Sequence, residues 1–358
     1  MSLFSNETYE RIIHSIKTAV ACLIGFSLTL IIPFKNNGQW LIVTIIVVMC
    51  AQINVGSVLQ KSYMRLIGTL TGSIIAAVTL TFFSPSIQVT ACVIGASILL
   101  FSFIATSDKN YSASGPLGAV TVIIILINQG SATVTGAAER FLEISVGITI
   151  AALVSQFIFP INARYHLKMM QAKALSQIRE YYIATLMMLP TQEVTVAYHD
   201  LDEAIVKSLS SQRVLASESK HELLGVLFDP NYFEKILRCE KEIFRSIVGM
   251  HYAYRSFSED EKNYFYSPNW TAYHQTICDI LTKLEQQVKS KYPLQQTITF
   301  PQVPTLNEFL SPSVSGYTIT PSLNIDSYLF NAAKLVNHLR ELKNLLANAN
   351  DIDENQIQ

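Results

Sequence analysis

The sequence has few charged residues and none of the short motifs on which common catalytic sites are built. Charged residues make up 15% of the 358 positions, and 26 Lys and Arg nearly balance 27 Asp and Glu. Without a basic excess, nucleic acid is not an expected partner. The patterns GxSxG, HExxH and GxxxxGK[ST] do not occur. We therefore expect neither an enzyme nor a pump driven by ATP hydrolysis on this chain.

The cysteines and histidines also lack the spacing of a metal site or a disulfide framework. The five cysteines form no CxxC pair, and three of them, Cys22, Cys50 and Cys92, lie inside apolar runs. The seven histidines are scattered along the chain. This pattern is typical of small buried thiols, so we predict no metal ion and no cofactor.

Hydrophobic residues are abundant and are concentrated in the first part of the chain. They make up 50% of the sequence, and the mean hydropathy is +0.30. Residues 1–160 hold 7 Lys or Arg and 5 Asp or Glu, whereas residues 161–358 hold 19 and 22. Eleven of the fourteen glycines lie in the first part, as is typical of helices that pack closely in lipid. The composition predicts a membrane domain followed by a soluble one.

Six apolar runs meet or approach the roughly 20 residues that cross a bilayer. They occupy residues 18–34, 40–53, 63–83, 87–107, 113–127 and 137–160. An amphipathic segment at 1–17 precedes them. The predicted fold is therefore an all-α membrane protein with six transmembrane helices in residues 18–160, followed by a cytoplasmic helical bundle in residues 161–358.

In the second domain, apolar residues at spacings of three and four predict helices. These runs occupy residues 163–189, 196–224, 232–257, 270–289 and 325–347. The proline-rich stretch 292–322 predicts an extended connector before the last helix. Residues 351–358 are predicted to form a frayed polar tail.

The distribution of Lys and Arg predicts that both termini are cytoplasmic. Most cations flanking the spans then face the inside, namely Arg11, Lys17, Lys61, Arg65, Lys109, Arg164, Lys168 and Lys173. The outer side receives only Lys35 and, near the start of the sixth span, Arg140.

The third and sixth spans share a pattern that suggests an internal duplication. RLIGTLTGSIIA begins at Arg65 and RFLEISVGITIA begins at Arg140, with a Gly seven residues and an Ala eleven residues after each Arg. Weaker matches join the first span to the fourth (ACLIGFS and ACVIGAS) and the second to the fifth (VTII and VTVI). Because each repeat has three spans, an odd number, the second repeat must cross the membrane in the opposite orientation to the first. Inverted repeats are typical of transporters whose substrate path lies at the repeat interface.

The two arginines are the first candidates for a substrate site, because a full charge in a hydrocarbon span is costly unless it faces protein, water or an anion. Arg65 could instead snorkel to the inner headgroups. Arg140 could instead form a structural pair with Glu143, three residues along the same helix face. We predict that both arginines line one anion path, with Glu143 and Thr69 beside it. The planar guanidinium fork suits a carboxylate.

Glycines and threonines surround these arginines in the sequence. Gly68 and Gly72 form a GxxxG pattern, and Gly147 is the repeat counterpart of Gly72, so all three are predicted to pack helices closely. Thr44 and Thr121 lie mid-span, where their hydroxyls either face a polar path or bond back to their own helices.

Two further positions have plain interpretations. Trp40, at the start of the second span, is interpreted as a residue of the aromatic belt. Asp108, in the loop after the fourth span, is interpreted as a solvated charge, with proton coupling as the alternative.

Together these residues resemble the fusaric-acid-resistance and aromatic-acid-exporter family, which has the plant aluminium-activated malate channels as distant relatives. The resemblance rests on the RxxGTxxG opening at Arg65, on Trp40, and on the RxxE pattern at Arg140 with Pro160 closing the span. It covers residues 15–160 and reaches the second domain only in general architecture.

The resemblance implies an exporter of organic anions, often aromatic carboxylates, in a bacterial inner membrane, with Arg65 and Arg140 attracting the anion. Many bacterial members carry two six-span sets in one chain, whereas this chain has one, which favours a homodimer. A passive anion channel is the nearest alternative. A membrane-anchored sensor or scaffold, whose helical domain binds a protein, is the alternative from another class.

Overall fold

In the part of the chain that the computed structural model describes, the regular secondary structure is helical and there is no strand. The structure describes residues 6–32, 34, 37–50, 52–83, 86–107, 112–127, 133–187, 197–222, 228–258, 261–262, 268–290, 297–304 and 322–354. The predicted all-α class is confirmed. The chain divides into two compact units, Met1–Ala163 with His221–Leu223, and Arg164–Lys220 with Leu224–Gln358.

Six helices of the first unit coincide with the six apolar runs. They are α1 (Asn6–Ile31), α2 (Gln39–Met49), α3 (Val55–Phe82), α4 (Ile87–Ala105), α5 (Ser114–Ile127) and α6 (Val134–Phe157). Three stretches are long and apolar enough to cross a membrane, namely Thr8–Ile31, Val55–Phe82 and Ile87–Ala105, while α2 and α5 are apolar but shorter. The α6 helix has 24 residues and three charged residues in its first half. The count of six spans therefore remains a prediction.

Several helix ends differ from the predicted ones. The amphipathic segment and the first apolar run form one continuous helix, α1. The α3 helix begins at Val55 rather than at residue 63, since no proline interrupts the residues after Asn54. Arg65 therefore lies ten residues from the helix start. Side-chain oxygens cap the N-termini of α4 and α6. Ser86 accepts a hydrogen bond from the Val89 N–H, and Thr133 accepts one from the Gly136 N–H.

The packing in the first unit places α6 at its centre. The α6 helix contacts α1, α2 and α3, while α5 packs between α3 and α4. One apolar core joins α1, α2 and α6 around Leu41, Ile45 and Ala151, and another joins α3, α4 and α5 around Ala76, Phe101 and Val122. Large apolar side chains remain exposed along α1 and α4, as expected of surfaces that face lipid.

In its described residues the second unit has five α-helices and a buried aromatic core. They are α7 (Ala163–Tyr182), which continues into a π-helical turn (Ile183–Met187), α8 (Ala197–Ser219), α9 (Pro230–Arg255), α10 (Pro268–Lys289) and α11 (Leu323–Glu354). Trp270, Tyr182 and Tyr328 are among its largest fully buried side chains. The α11 helix continues through residues 351–354, so the prediction of a frayed tail is wrong there, and residues 355–358 lie outside the described part.

Candidate functional site

Arg65 is buried in the first unit, on α3. Its side chain is 7% exposed, and its Nε atom has no hydrogen-bond partner. A side chain that snorkels to headgroups would keep its guanidinium in water. The burial of Arg65, more than two turns from the start of α3, argues against that alternative.

Arg140 is equally buried on α6 and stacks on an aromatic ring of α2. Its guanidinium carbon lies 3.6 Å from the centroid of the Trp40 ring, a close cation–π contact. Its Nε atom, like that of Arg65, has no hydrogen-bond partner. Sequence reasoning interpreted Trp40 as a belt residue and missed this contact, because the helix pairing that creates it leaves no local signal.

Glu143 lies one turn after Arg140 and is 1% exposed. Its carboxyl group accepts a hydrogen bond from the backbone N–H of Trp40, at the start of α2, and Oε2 is buried without a hydrogen-bond partner. Among the described residues, no direct salt bridge joins Arg140 to Glu143. Their charges interact at longer range. The geometry therefore does not support a structural salt bridge between Arg140 and Glu143, which their sequence spacing allowed.

The structure brings the two arginines towards each other. The guanidinium groups of Arg65 and Arg140 are close enough for their charges to repel, because α3 and α6 pack together. Two buried like charges that interact raise the free energy unless a negative group compensates them.

Close helix contacts through glycine hold these segments in place. A methyl group on Gly72 would lie 2.6 Å from the backbone oxygen of Gly118 and 2.9 Å from Thr121 Cβ, both on α5. A methyl group on Gly68 would overlap the backbone oxygen of Ser114. The α3 and α5 backbones can approach this closely only because both positions are glycine.

Gly147 makes the matching contact between α6 and α2. A methyl group there would lie 2.7 Å from Leu41 O and 3.0 Å from Thr44 Cβ. Gly72 therefore touches Thr121, and its repeat counterpart Gly147 touches Thr44, which occupies the position in VTII that Thr121 occupies in VTVI.

The buried threonines bond to their own helices. Thr44 donates its hydroxyl to Trp40 O at 2.6 Å, and Thr121 donates to Leu117 O at 2.7 Å. Of the two possibilities left open by the sequence, back-bonding is the one observed. Thr69 is 1% exposed, four residues after Arg65 on α3.

Lys17 is a buried charge that sequence reasoning counted only as a flanking cation. Its side chain is fully buried, and Nζ donates to the backbone oxygens of Ser155 at 3.3 Å and Phe159 at 3.4 Å. These carbonyls end α6, where a cation is favoured. Lys17 therefore caps the end of α6 remote from Arg140. Asp108 and Lys109 lie outside the described residues.

The second unit contains two buried polar pairs. Tyr182 Oη lies 2.7 Å from His274 Nδ1, and burial lowers the pKa of His274 to about 4. Gln212 Nε2 donates to Glu240 Oε2 at 2.7 Å, and burial raises the pKa of Glu240 to about 8. In the described part of the chain, no three His, Cys, Asp or Glu side chains cluster as metal ligands would.

Comparison with known proteins finds a family that part of the first unit resembles. Residues 19–154 match the family described as fusaric acid resistance protein-like. The resemblance predicted from the motifs at Arg65 and Arg140 is confirmed for this region. Proteins bearing transport and resistance names are among the relatives.

Three relatives show how similar known proteins are to this chain and how much of each protein the similarity covers. Inner membrane protein YeeA of Escherichia coli strain K12 is 26% identical over 184 residues, which are 51% of this chain and 51% of YeeA. Multidrug resistance protein MdtO of Shigella flexneri is 27% identical over 200 residues, 54% of this chain and 28% of MdtO. Aluminum-activated malate transporter 14 of Arabidopsis thaliana is 29% identical over 166 residues, 42% of this chain and 30% of that protein. The match spans about half of YeeA and less than a third of the other two.

Proposed function

We propose that this protein exports organic anions, in particular aromatic carboxylates, across a bacterial inner membrane. The observation that carries the proposal is the pair of buried arginines, Arg65 and Arg140, which lie near each other in the membrane unit without a salt-bridge partner among the described residues. A guanidinium stays protonated under physiological conditions, so its burial calls for a negative partner. A transported carboxylate supplies one, because its two oxygens match the guanidinium fork.

Trp40 favours an aromatic substrate over an aliphatic one. Its ring already stacks on the Arg140 guanidinium and is half-buried. An aromatic acid whose carboxylate binds Arg140 would bring its own ring next to Trp40, and aromatic pairs add to the free energy of binding beyond the area they bury. The names of MdtO and of the malate transporter fit export of organic solutes in general.

The inverted repeat that we propose is supported by how the helices pack. The third helix of each three-helix repeat packs against the middle helix of the other repeat: α3 packs on α5, and α6 packs on α2. The counterpart glycines Gly72 and Gly147 contact the counterpart threonines Thr121 and Thr44. In such folds the substrate passes between the repeats, and the packing of α3 against α6, which carry the arginines, is compatible with a path there. We further propose that two chains form a homodimer and that both termini are cytoplasmic.

Flux measurements in proteoliposomes test this proposal against its alternatives. The purified full chain is reconstituted, and labelled benzoate efflux is followed with and without a pH gradient. The proposal predicts benzoate efflux that a pH gradient accelerates. Gradient-independent efflux would favour the passive channel, and the absence of flux of any organic anion would favour the sensor or scaffold.

A further inference from the structure

Glu143 adds a buried negative charge to the two buried arginines. Its side chain is 1% exposed, compared with 7% for Arg65 and for Arg140. One carboxyl oxygen accepts the Trp40 N–H, and the other, Oε2, is buried without a hydrogen-bond partner. A buried carboxyl oxygen that is left unpaired is costly, so a structural role alone does not account for Glu143.

Arg140 and Glu143 of α6 contact α2 separately. The Arg140 guanidinium rests on the Trp40 ring, whereas the Glu143 carboxyl group rests on the Trp40 backbone N–H. The start of a helix carries a partial positive charge, which suits a carboxylate. Because neither group neutralises the other by direct contact, both charges act on whatever enters the site.

The net charge of this site follows from the described groups. Two guanidiniums and one carboxylate sum to +2 − 1 = +1. The α2 helix carries no ionisable group. Lys61 on α3 and Glu139 on α6 lie one turn before Arg65 and Glu143 and are half-exposed, so water weakens their effect, although the charge of Glu139 still reaches Glu143. Lys17 and His14 on α1 are buried, and Lys17 binds carbonyls at the remote end of α6.

We propose that Glu143 makes the site selective for monocarboxylates over dicarboxylates. This inference rests on the proposed function. A monocarboxylate brings the buried site to neutrality, whereas a dicarboxylate leaves one uncompensated negative charge, which a buried environment penalises. The first repeat carries Gly68 at the position equivalent to Glu143. The site therefore has two arginines and a single acidic group, and Glu143 alone sets the charge that the substrate must match.

Benzoate and phthalate give a sharp test, because they share a ring and differ by one carboxylate. Their initial rates of efflux from proteoliposomes are compared at about pH 7.5, where phthalate is a dianion. Wild-type protein is expected to prefer benzoate. Glu143→Gln keeps the acceptor for the Trp40 N–H but removes the charge, and should shift the ratio towards phthalate by about tenfold, the size of one buried charge contact. Glu139→Gln, the same change one turn earlier at a half-exposed position, should leave the ratio within about twofold.

Each outcome separates this inference from the proposed function. A wild-type protein that carries both anions equally well, or an unchanged ratio in Glu143→Gln, overturns the role of Glu143 and leaves carboxylate export standing. If Glu143→Gln does not yield a monodisperse protein, Glu143→Ala, which also removes the charge, takes its place in the comparison. A wild-type protein that carries neither anion refutes the proposed function, and this inference with it.

Discussion

The two units bury ionisable groups in different ways. In the second unit, buried Glu240 faces Gln212, and buried His274 lies between Tyr182 Oη and, at 3.5 Å, Tyr328 Oη. Burial raises the pKa of Glu240 and lowers that of His274, so both groups are neutral near pH 7. Where the second unit does bury a charge, at Glu285, Arg179 and Lys289 pair with it directly.

The first unit keeps its buried charges. Arg65 and Arg140 cannot become neutral, and among the described residues neither forms a salt bridge. Burying a charge without a partner is expensive, and a purely structural position would be filled by an apolar residue. The second unit thus holds buried Glu240 and His274 as neutral groups, whereas the first unit buries two arginines that stay charged, and this contrast is why we propose that they bind an external anion.

Removing either arginine should have the largest effect on binding. Arg65→Ala or Arg140→Ala removes a charge-assisted contact of about 1.5 to 3 kcal/mol, so benzoate affinity should fall roughly tenfold to a hundredfold. Lys at either position should rescue only part of the loss, because a point charge replaces a planar fork. Titration in detergent measures the effect, with exposed Arg11→Ala as control. Unchanged affinity in both folded variants would show that the arginines do not form the site.

The glycine contacts should matter for stability at α6 but not at α4. Gly147→Ala places a methyl group against the backbone of α2 and should cost about 1 to 3 kcal/mol of stability. Gly95→Ala, at a helix position with nothing within 4 Å, should be neutral or slightly stabilising. Thermal unfolding in detergent compares the two variants. Equal melting temperatures would mean that α2 and α6 are not packed as described.

Glu240→Gln should change how the stability of the second unit depends on pH. The pKa of Glu240 is raised to about 8 in the folded protein, so between about pH 4.5 and 8 the folded state retains a proton that the unfolded state has lost. Stability should then fall as pH rises, by up to about 1.4 kcal/mol between pH 6 and 7. The Gln variant should lack this fall.

The fluorescence of Trp270 reports this unfolding when Trp40 is replaced by Phe, since the chain has 2 Trp residues. Glu203 is exposed on α8 and offers a Glu→Gln control. A wild-type protein whose stability is constant between pH 6 and 7 would contradict a neutral Glu240.

Replacing Trp40 should lower benzoate affinity less than replacing either arginine. Trp40→Leu removes the cation–π contact with Arg140, worth about 0.5 to 2 kcal/mol, so benzoate affinity should fall by roughly twofold to thirtyfold. Trp40→Phe keeps an aromatic face and should lose less. If the Trp40→Leu variant binds benzoate as tightly as the wild-type protein does, the Trp40 ring positions neither Arg140 nor the substrate.

Much of the fold could be predicted because apolar runs and apolar residues at helical spacing identify a helix from its own sequence. Arg65 and Arg140 were identified because each interrupts an apolar run. The stacking of Arg140 on Trp40 and the bond from the Trp40 N–H to Glu143 could not be predicted, since they depend on how α2 packs against α6. The burial of Lys17 was missed for the same reason: its partners lie at the far end of another helix.

A structure of the protein with 4-bromobenzoate bound tests the central claim most directly. The anomalous signal of bromine locates the ring, and the density locates the carboxylate. The account predicts the carboxylate within hydrogen-bonding distance of the guanidinium groups of Arg65 and Arg140, with the ring beside Trp40. A bound anion elsewhere, with both guanidiniums left unoccupied at saturating concentration, would contradict it.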